Sequence, residues 1–552
     1  MSFQTPSSKV TLQIESLGRL DGFQYSNGVQ QFCGIPYGTL SKRWTRAVLK
    51  TSWEDNYHDG TKLGNDCPRP KVSAGTTNPF LPVPPNPNFQ QPRVDEKTAL
   101  IINIVVPRQP HHHGEKCPVL AYIHGGSLLY GSSNYGIYDA VNLVSHSVTI
   151  GFPIAFVSFN YRLGLGGFLA SSKIAEDLQR DGFEGNGNFG FTDQKLAMDW
   201  VVRYIGQFGG DAENITVVGQ SAGGVSIGHH LAANDPMKFH RAVCMSGLGS
   251  TLRGLSLEYH EVLFAATCRY FSIDSQAPDV LDQLRKIPEQ VLADADHIIQ
   301  GVPSGTGNPY LDGWFYAHDP QAMTEAPSWL RSFILGDVHD EGVIFVANLT
   351  KDTYESVRCT IQEHVLDEKF VDTVLNEYGI TANLSKDDLI EKVCALGADA
   401  CFRIQNYETA LLNKRLQSEN TLFKYHFDQR SRLGNFLKGK AYHGFEIVYL
   451  FGNLDNELDE QERVMARDFA SAWIKFTYGQ EPWKTGTGLW KVWGPDCQQR
   501  VQTEEEDESV RNYTRLKKVF ALGAGGMWKK YLTAIDSLLM KRGNLGKFSI
   551  EG

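Results

Sequence analysis

Two short stretches of this chain, joined to a base and an acid, could perform acyl transfer. The first is Gly219-Gln-Ser-Ala-Gly223. Glycine on each side of a serine permits a strand-to-helix turn so tight that a Cβ at either position would clash. Ile215-Thr-Val-Val218 reads as the strand before it, and Gly224-Val-Ser-Ile-Gly-His-His-Leu231 as the start of the helix after it. That setting would hold the Ser221 hydroxyl at a helix N-terminus, where the dipole favours developing negative charge. With 53 glycines in the chain, the five-residue pattern alone could arise by chance. The strand–turn–helix context is what favours a nucleophile. The second stretch is His124-Gly-Gly-Ser127, directly after a strand ending at Ile123. Glycines let backbone N–H groups approach a tetrahedral oxyanion closely, and one such donor is worth about 3–4 kcal/mol. Gly-Gly in isolation is commonly a simple turn, but upstream of a serine elbow it fits an oxyanion hole. A serine nucleophile also needs a base, and an acid to orient that base. The chain has 16 histidines. His443, the pair His229 and His230 in the elbow helix, and the run His111 to His113 are candidates, the run reading most simply as a solvated loop. Asp337, Asp340 and Glu341 all follow the strand Phe333–Leu335. Spacing alone does not choose among them.

The elements that must hold these residues are legible as apolar runs. Pro118–Ile123, Ile154–Phe159, Ile215–Val218, Ala242–Met245, Phe333–Leu335 and Leu422–Tyr425 read as buried strands. Between the second and third lies Asp193–Gly206. There Leu196, Trp200 and Tyr204 recur four apart, as do Ala197, Val201 and Ile205, giving a wide apolar helical face. Continuous apolar strands alternating with amphipathic helices predict an α/β fold with a large, mostly parallel sheet covered on both faces. Val10–Ile14 alternates apolar and polar residues, and Gly18–Gly22 reads as a turn, so a small N-terminal antiparallel hairpin is expected. Residues 68–92 hold eight of the 23 prolines. Proline lacks an N–H and has a fixed φ, so this stretch is neither a central strand nor a helix interior. Phe80, Leu81 and Val83 within it favour a functional loop over a linker. The acidic run Thr503–Ser509 reads as a solvated loop.

The chain has 552 residues, 41% of them hydrophobic and 21% charged, which excludes a disordered or fibrous protein. Its net charge of −10 comes without a basic stripe, which argues against nucleic acid as a partner. No apolar run is long enough to span a bilayer. The start, MSFQTPSSKV, lacks the apolar segment of a secretory signal, so a cytoplasmic protein is expected and its four N-x-[ST] sequons should stay unmodified. The nine cysteines include no C-x-x-C pair and read as reduced, mostly buried thiols. Three other patterns fail on context. Gly185-Asn-Gly-Asn-Phe-Gly190 spells G-x-G-x-x-G, but no strand leads into it. Gly434–Ala441 nearly spells a phosphate loop but lacks its hydroxyl residue. His260-Glu261 has no second histidine at metal-binding spacing. Neither a metal nor a cofactor is expected.

Taken together, the ordered motifs resemble the type-B carboxylesterase/lipase family, which includes the cholinesterases. The resemblance runs over almost the whole chain. It is carried by Phe32-Cys-Gly-Ile-Pro-Tyr37, Asp66-Cys-Pro68, Ile123-His-Gly-Gly126, Asn160-Tyr-Arg-Leu163, Gly187-Asn-Phe-Gly190 with Asp193-Gln194, Phe208-Gly-Gly-Asp211, Gly219–Gly223, Asn308–Gly313, Asp340-Glu-Gly342 and His443-Gly444. It implies one α/β-hydrolase domain over residues 1–552, with the Pro-rich 68–98 loop on the rim of an active-site gorge. It assigns Ser221 as nucleophile, His443 as general base and acid, and Glu341 as the acid partner. It also implies an oxyanion hole from the N–H groups of Gly125, Gly126 and Ala222. The chain departs from the family in three places. Gln220 stands where a glutamate usually precedes the nucleophile, which removes a charge and argues against cationic substrates. Ala99 and Gln283 replace cysteines that secreted relatives pair with the equivalents of Cys67 and Cys268. Those losses suit a reducing compartment, resemble intracellular fungal members, and leave the Pro-rich loop without a covalent clip, so it is expected to be mobile.

The resulting expectation is a serine hydrolase acting on a carboxylic ester or lactone of a fairly apolar small molecule. An acyltransferase or cyclase on the same scaffold, with an alcohol intercepting the acyl-enzyme, is the alternative. A non-catalytic interaction protein ranks below both, because the full triad pattern is kept.

Overall fold

A computed structural model describes residues 3–71, 81, 84–108, 116–299, 302, 307–320, 326–523 and 526–541. Its strands are β1 (Ser8–Ile14), β2 (Gly18–Gln24), β3 (Val29–Pro36), β4 (Gly38–Thr39), β5 (Val48–Leu49), β6 (Tyr57–Asp59), β7 (Ile101–Pro107) and β8 (Cys117–Ile123). They continue as β9 (Ala155–Phe159), β10 (Gly210–Gln220), β11 (Arg241–Met245), β12 (Ser332–Val338), β13 (Leu422–Phe427), β14 (Leu489–Trp493) and β15 (Gln499–Thr503). One large sheet has the order β1-β2-β3-β7-β9-β8-β10-β11-β12-β13-β14-β15, with β6 beside β2. From β9 through β14 every neighbour is parallel, and the pairings at both ends are antiparallel. This is the α/β-hydrolase arrangement: a large mixed sheet, parallel at its centre, with antiparallel N-terminal strands.

The parallel strands are largely apolar at their centres because both of their faces are covered. Along β8, Val119, Ala121 and Ile123 enter one core, while Leu120 and Tyr122 enter another. Strand β12 divides in the same way, Phe333 and Leu335 to one side and Ile334 to the other. The first core takes the helices Phe189–Tyr204 and Ala222–Leu231, including Trp200, Val201, Val225 and Ile227. The second takes the helices Val141–Thr149, Glu446–Phe451 and Glu460–Thr477. Fully burying each such side chain contributes about 1.5–3 kcal/mol.

The sheet differs from the sequence reading at its edges. The N-terminal hairpin turns at residues 15–17, and Gly18–Gly22 lies inside β2 rather than forming the turn. Those glycines serve close packing. A Cβ on Gly18 would lie 2.0 Å from the Asn56 carbonyl oxygen, and one on Gly22 would lie 2.3 Å from the Phe32 ring. The acidic run 503–509 is not a loop. Glu504–Arg511 is a helix with a capping box, in which the Thr503 and Glu506 side chains bond each other's backbone N–H. Four acidic residues in its first turn sit at the positive end of the helix dipole. Asp507 and Arg511 are buried. The pairing of β14 with β15 that precedes this helix also escaped the apolar-run reading, because its outer residues are polar.

Residues 72–80 and 82–83, and with them the middle of the Pro-rich loop expected to be mobile, lie outside the described residues. So do His111 to His113. The base of the loop closes without a covalent link: the Asp66 N–H donates to the Arg93 carbonyl at 2.7 Å, and Arg69 pairs with the Asp66 carboxylate at 2.8 Å. All nine cysteines are free thiols. Strands β8, β10, β12 and β13 present their carboxyl ends side by side. There ligands bind in open α/β sheets, and the segments leaving those ends carry Gly125, Gly126, Ser221, Glu341 and His443.

Candidate active site

The elbow after β10 is as tight as its glycines suggest. A Cβ on Gly219 would lie 2.2 Å from the Gly223 carbonyl carbon, and one on Gly223 would lie 2.0 Å from the Ile123 carbonyl oxygen. Between them Ser221 has φ 56° and ψ −125°, a strained conformation for a residue with a side chain. Its N–H donates to the Met245 carbonyl at 2.8 Å, and its own carbonyl accepts from Val225 at 2.9 Å, so the strain is held from both sides. The loop after β8 lies against this elbow. A Cβ on Gly125 would touch the Gln220 carbonyl oxygen at 2.7 Å and Ser221 Cβ at 3.0 Å. Gly126 has φ 115°, and Ser127 and Leu128 also have positive φ. None of the N–H groups of Gly125, Gly126 and Ala222 has an acceptor among the described residues. The His124 ring supports the loop from below. It stacks on Tyr161 at 4.5 Å, its Nδ1 contacts the Gly125 carbonyl at 2.9 Å, and burial lowers its pKa to about 4.

Glu341 and His443 meet because two loops run in register. Asp340 and Tyr442 form a parallel bridge, with the Asp340 N–H donating to the Ala441 carbonyl and the Ala441 N–H donating back to Asp340 Oδ2, both at 2.8 Å. The next residue of each loop faces the other: His443 Nδ1 is 2.5 Å from Glu341 Oε2. The Val338 N–H holds the second carboxylate oxygen at 2.9 Å. A carboxylate on Nδ1 fixes the tautomer in which Nδ1 carries the proton and Nε2 keeps its lone pair. Glu341 is fully buried and His443 is 7% exposed.

The partner of His443 Nε2 is Gln220, whose Nε2 lies 3.1 Å away. An amide N–H is the donor that suits a free lone pair, and the orientation of the amide follows from that pairing. Among the described residues Ser221 Oγ is not a partner of this nitrogen. His443 is therefore held by Glu341 on one ring nitrogen and by Gln220, the residue before Ser221, on the other. Resting sites commonly tighten only when substrate arrives.

The remaining sequence candidates are placed elsewhere. Asp337 accepts from His426 Nδ1 at 2.8 Å and Asn406 at 3.0 Å, with Arg511 and Arg403 beyond. Burial pushes its carboxyl up, but His426 and the two guanidinium groups outweigh this and hold it at about 2. It joins the sheet to the C-terminal helices. His229 is bonded by Tyr316 at 2.7 Å and Leu252 at 2.8 Å, and His230 by Gln194 at 3.1 Å. Burial lowers their pKa values to about 4 and about 3, as for neutral core histidines. His260 is buried against Pro309, and Glu261 caps Ser172. No cluster among the described residues could hold a metal ion.

Two contacts of the site gave no sequence signal. The Phe402 ring lies 5.2 Å from the His443 ring. Glu446, three residues past His443 at the start of the helix Glu446–Phe451, is fully buried with neither carboxyl oxygen hydrogen-bonded. Burial first, and then the Glu341 carboxylate, push its pKa well above the usual carboxylate range.

The chain is similar to known proteins along most of its length. The profile of the carboxylesterase family matches residues 7–521. Lipase 3 of Yarrowia lipolytica is 28% identical over 490 residues, covering 86% of this chain and 89% of that one. The para-nitrobenzyl esterase of Bacillus subtilis is 26% identical over 499 residues, covering 87% and 92%. A solved PNB esterase structure superposes with a TM-score of 0.73 at 23% identity, covering 92% of this chain and 99% of that one, which shows a shared fold. The chain belongs to the carboxylesterase family, as a serine ester hydrolase.

Proposed function

We propose that the chain cleaves carboxylic esters of a fairly apolar small molecule through an acyl-enzyme on Ser221. The observation that carries this reading is the Glu341–His443 contact beside the strained Ser221 elbow. His443 exchanges its Gln220 contact for Ser221 Oγ as substrate enters, and Nε2 removes the hydroxyl proton while Oγ attacks the ester carbonyl. Glu341 holds the Nδ1 proton and stabilises the imidazolium. The oxyanion forms against the N–H groups of Gly125, Gly126 and Ala222, at the mouth of a helix whose dipole favours it. The imidazolium then protonates the leaving alcohol, and water repeats the cycle on the acyl-enzyme.

The apolar character is supported by Gln220, which puts an amide where a carboxylate would attract a cation, and by Phe402 against the base. A reducing compartment is proposed from the nine free thiols, with Ala99 and Gln283 standing where secreted relatives of the family carry cysteines.

The test is turnover of chromogenic esters from acetyl to long acyl chains, with wild type beside Ser221→Ala. The variant is expected to lose at least about three orders of magnitude in kcat/KM. A folded wild type that turns over no ester, or a Ser221→Ala variant with full activity, would reject the reading.

A further inference from the structure

Residues Lys386 to Leu412 form one rod with a wide turn in its middle. It runs as an α-helix over Lys386–Ala398, a π-helical turn over Asp399–Arg403, and an α-helix again over Ile404–Leu412. π-turns are far rarer than α-turns, appear mostly as single turns inside α-helices, and are frequent at functional sites. This one is braced both from within the rod and from outside it. Gln405 Nε2 donates to the Ala400 carbonyl at 3.0 Å, and Thr251 Oγ1 donates to the Cys401 carbonyl at 2.9 Å. Gln405 is in turn held by Ser250 at 2.6 Å.

The turn delivers two consecutive side chains to the two halves of the Glu341–His443 pair. Phe402, 3% exposed, lays its ring 5.2 Å from the imidazole at a tilt of 46°. Arg403 Nη2 donates to the carbonyls of His339 at 2.5 Å and Val338 at 3.4 Å, just before Glu341. Val338 is also the residue whose N–H holds Glu341 Oε1. The guanidinium is steadied by Asp399 at 2.7 Å, which Arg515 also holds at 2.7 Å. The rod and the acid loop are in backbone contact, since a Cβ on Gly342 would lie 2.4 Å from the Cys394 carbonyl oxygen.

The plain alternative is core packing: an aromatic ring filling space and a buried ion pair. It accounts for burial. It does not account for a braced π-turn whose two consecutive residues reach the histidine and the carbonyls of the acid loop. We propose that the turn Asp399–Arg403 is the positioning element of the Glu341–His443 pair. Phe402 sets the plane of the imidazole and keeps water from its Nδ1–H bond, and Arg403 fixes the loop that aims Glu341. Both are positioning residues, and the proposal rests on the triad reading above.

The test compares Phe402→Ala, Phe402→Leu, Arg403→Met and Arg403→Lys with wild type. The first readout is the low-field proton resonance of the His443 Nδ1–H in histidine-labelled protein, identified by its loss in His443→Gln. The second is the split between kcat and KM on a chromogenic ester. Phe402→Ala and Arg403→Met are expected to broaden or lose the resonance and to lower kcat about 10–100-fold, with KM within about threefold, because small misplacements of a base cost that much. Phe402→Leu and Arg403→Lys should recover part of both. Folded variants that keep the resonance and stay within about twofold of wild-type kcat would reduce the turn to core packing and overturn the proposal. If either large truncation fails to fold, the conservative variant at the same position decides by the same readouts, because even it should weaken the resonance. The resonance needs no turnover. A wild type that shows it but hydrolyses no ester would therefore sink the ester-hydrolase reading while leaving the positioning proposal open to the same four variants.

Discussion

Replacing Gln220 by glutamate exchanges an amide for a carboxylate of the same shape at the most sensitive point of the site. That side chain reaches within 3.1 Å of His443 Nε2 and belongs to a residue only 5% exposed, so bulk salt does little to screen a charge placed there. Two opposite unit charges at 4 Å attract by about 4 kcal/mol at an effective dielectric of about 20. Desolvation of the new carboxylate offsets part of this. The usual result of a close opposite charge is a titration moved by about 1–3 pH units. The sign follows from the role of the base. In the proposed mechanism His443 must be unprotonated to take the Ser221 proton, and a carboxylate facing Nε2 stabilises the imidazolium. Activity is then lost at higher pH on the acid side, so the acid limb of kcat/KM should move up by about 1–3 units. The assay is the pH profile of kcat/KM on one chromogenic ester for wild type, Gln220→Glu and the neutral control Gln220→Met. The methionine variant should keep the wild-type acid limb. If the glutamate variant also keeps it, within a few tenths of a unit, residue 220 does not face the base in solution and the arrangement drawn here is wrong.

Three further outcomes test other parts of the structure. Gly223→Ala places a Cβ 2.0 Å from the backbone oxygen of Ile123, which cannot step aside, so it should lower stability by about 3 kcal/mol or more in urea denaturation; a wild-type midpoint would contradict the elbow packing. Glu446→Gln should gain stability relative to wild type as pH rises. Burial and Glu341 raise the Glu446 pKa in the folded state, so above the ordinary value of 4.5 the folded chain holds a proton that the unfolded chain has released, and wild-type stability falls with a slope of up to about 1.4 kcal/mol per pH unit. A difference in melting temperature that stays constant from about pH 5 to pH 8 would refute that assignment. Iodoacetamide on the native protein should modify one thiol quickly, the exposed Cys359, while burial pushes up the others, Cys497 to about 11. Several fast thiols, or a melting temperature that drops with dithiothreitol, would argue against nine free cysteines.

What the sequence disclosed follows from how local each constraint is. The elbow was legible because a steric demand between residues 219 and 223 is written in five consecutive positions. The central strands were legible because both faces are buried, which leaves few polar residues to interrupt an apolar run. The first hairpin turn was misread because glycine has two uses, and at Gly18 and Gly22 it lets another segment approach rather than letting the chain reverse. The helix after Thr503 was misread because charge density outweighed its capping signal. The contacts of His443 were the least legible. Gln220 lies 223 positions away and Glu341 lies 102 away. Motif order could suggest Glu341, but no local pattern marks Phe402 or Arg403, whose placement depends on one extra residue in a helical turn.

These non-local contacts also decide the charge around the base. Three side chains near His443 could have been carboxylates, at positions 220, 341 and 446. Gln220 is neutral by composition, and burial favours the protonated form of Glu446. Glu341 is then the one carboxylate hydrogen-bonded to the ring among the described residues. A single negative charge is what an imidazolium needs when it forms in the transition state, and little is left over to draw a cation into the site. The proposed preference for neutral, apolar esters and the Gln220→Glu shift thus share one electrostatic cause. An added carboxylate at 220 should therefore raise the acid limb and also improve the relative turnover of esters bearing a cationic alcohol. A shift in one without the other would show that Gln220 governs the base but does not line the path of the substrate.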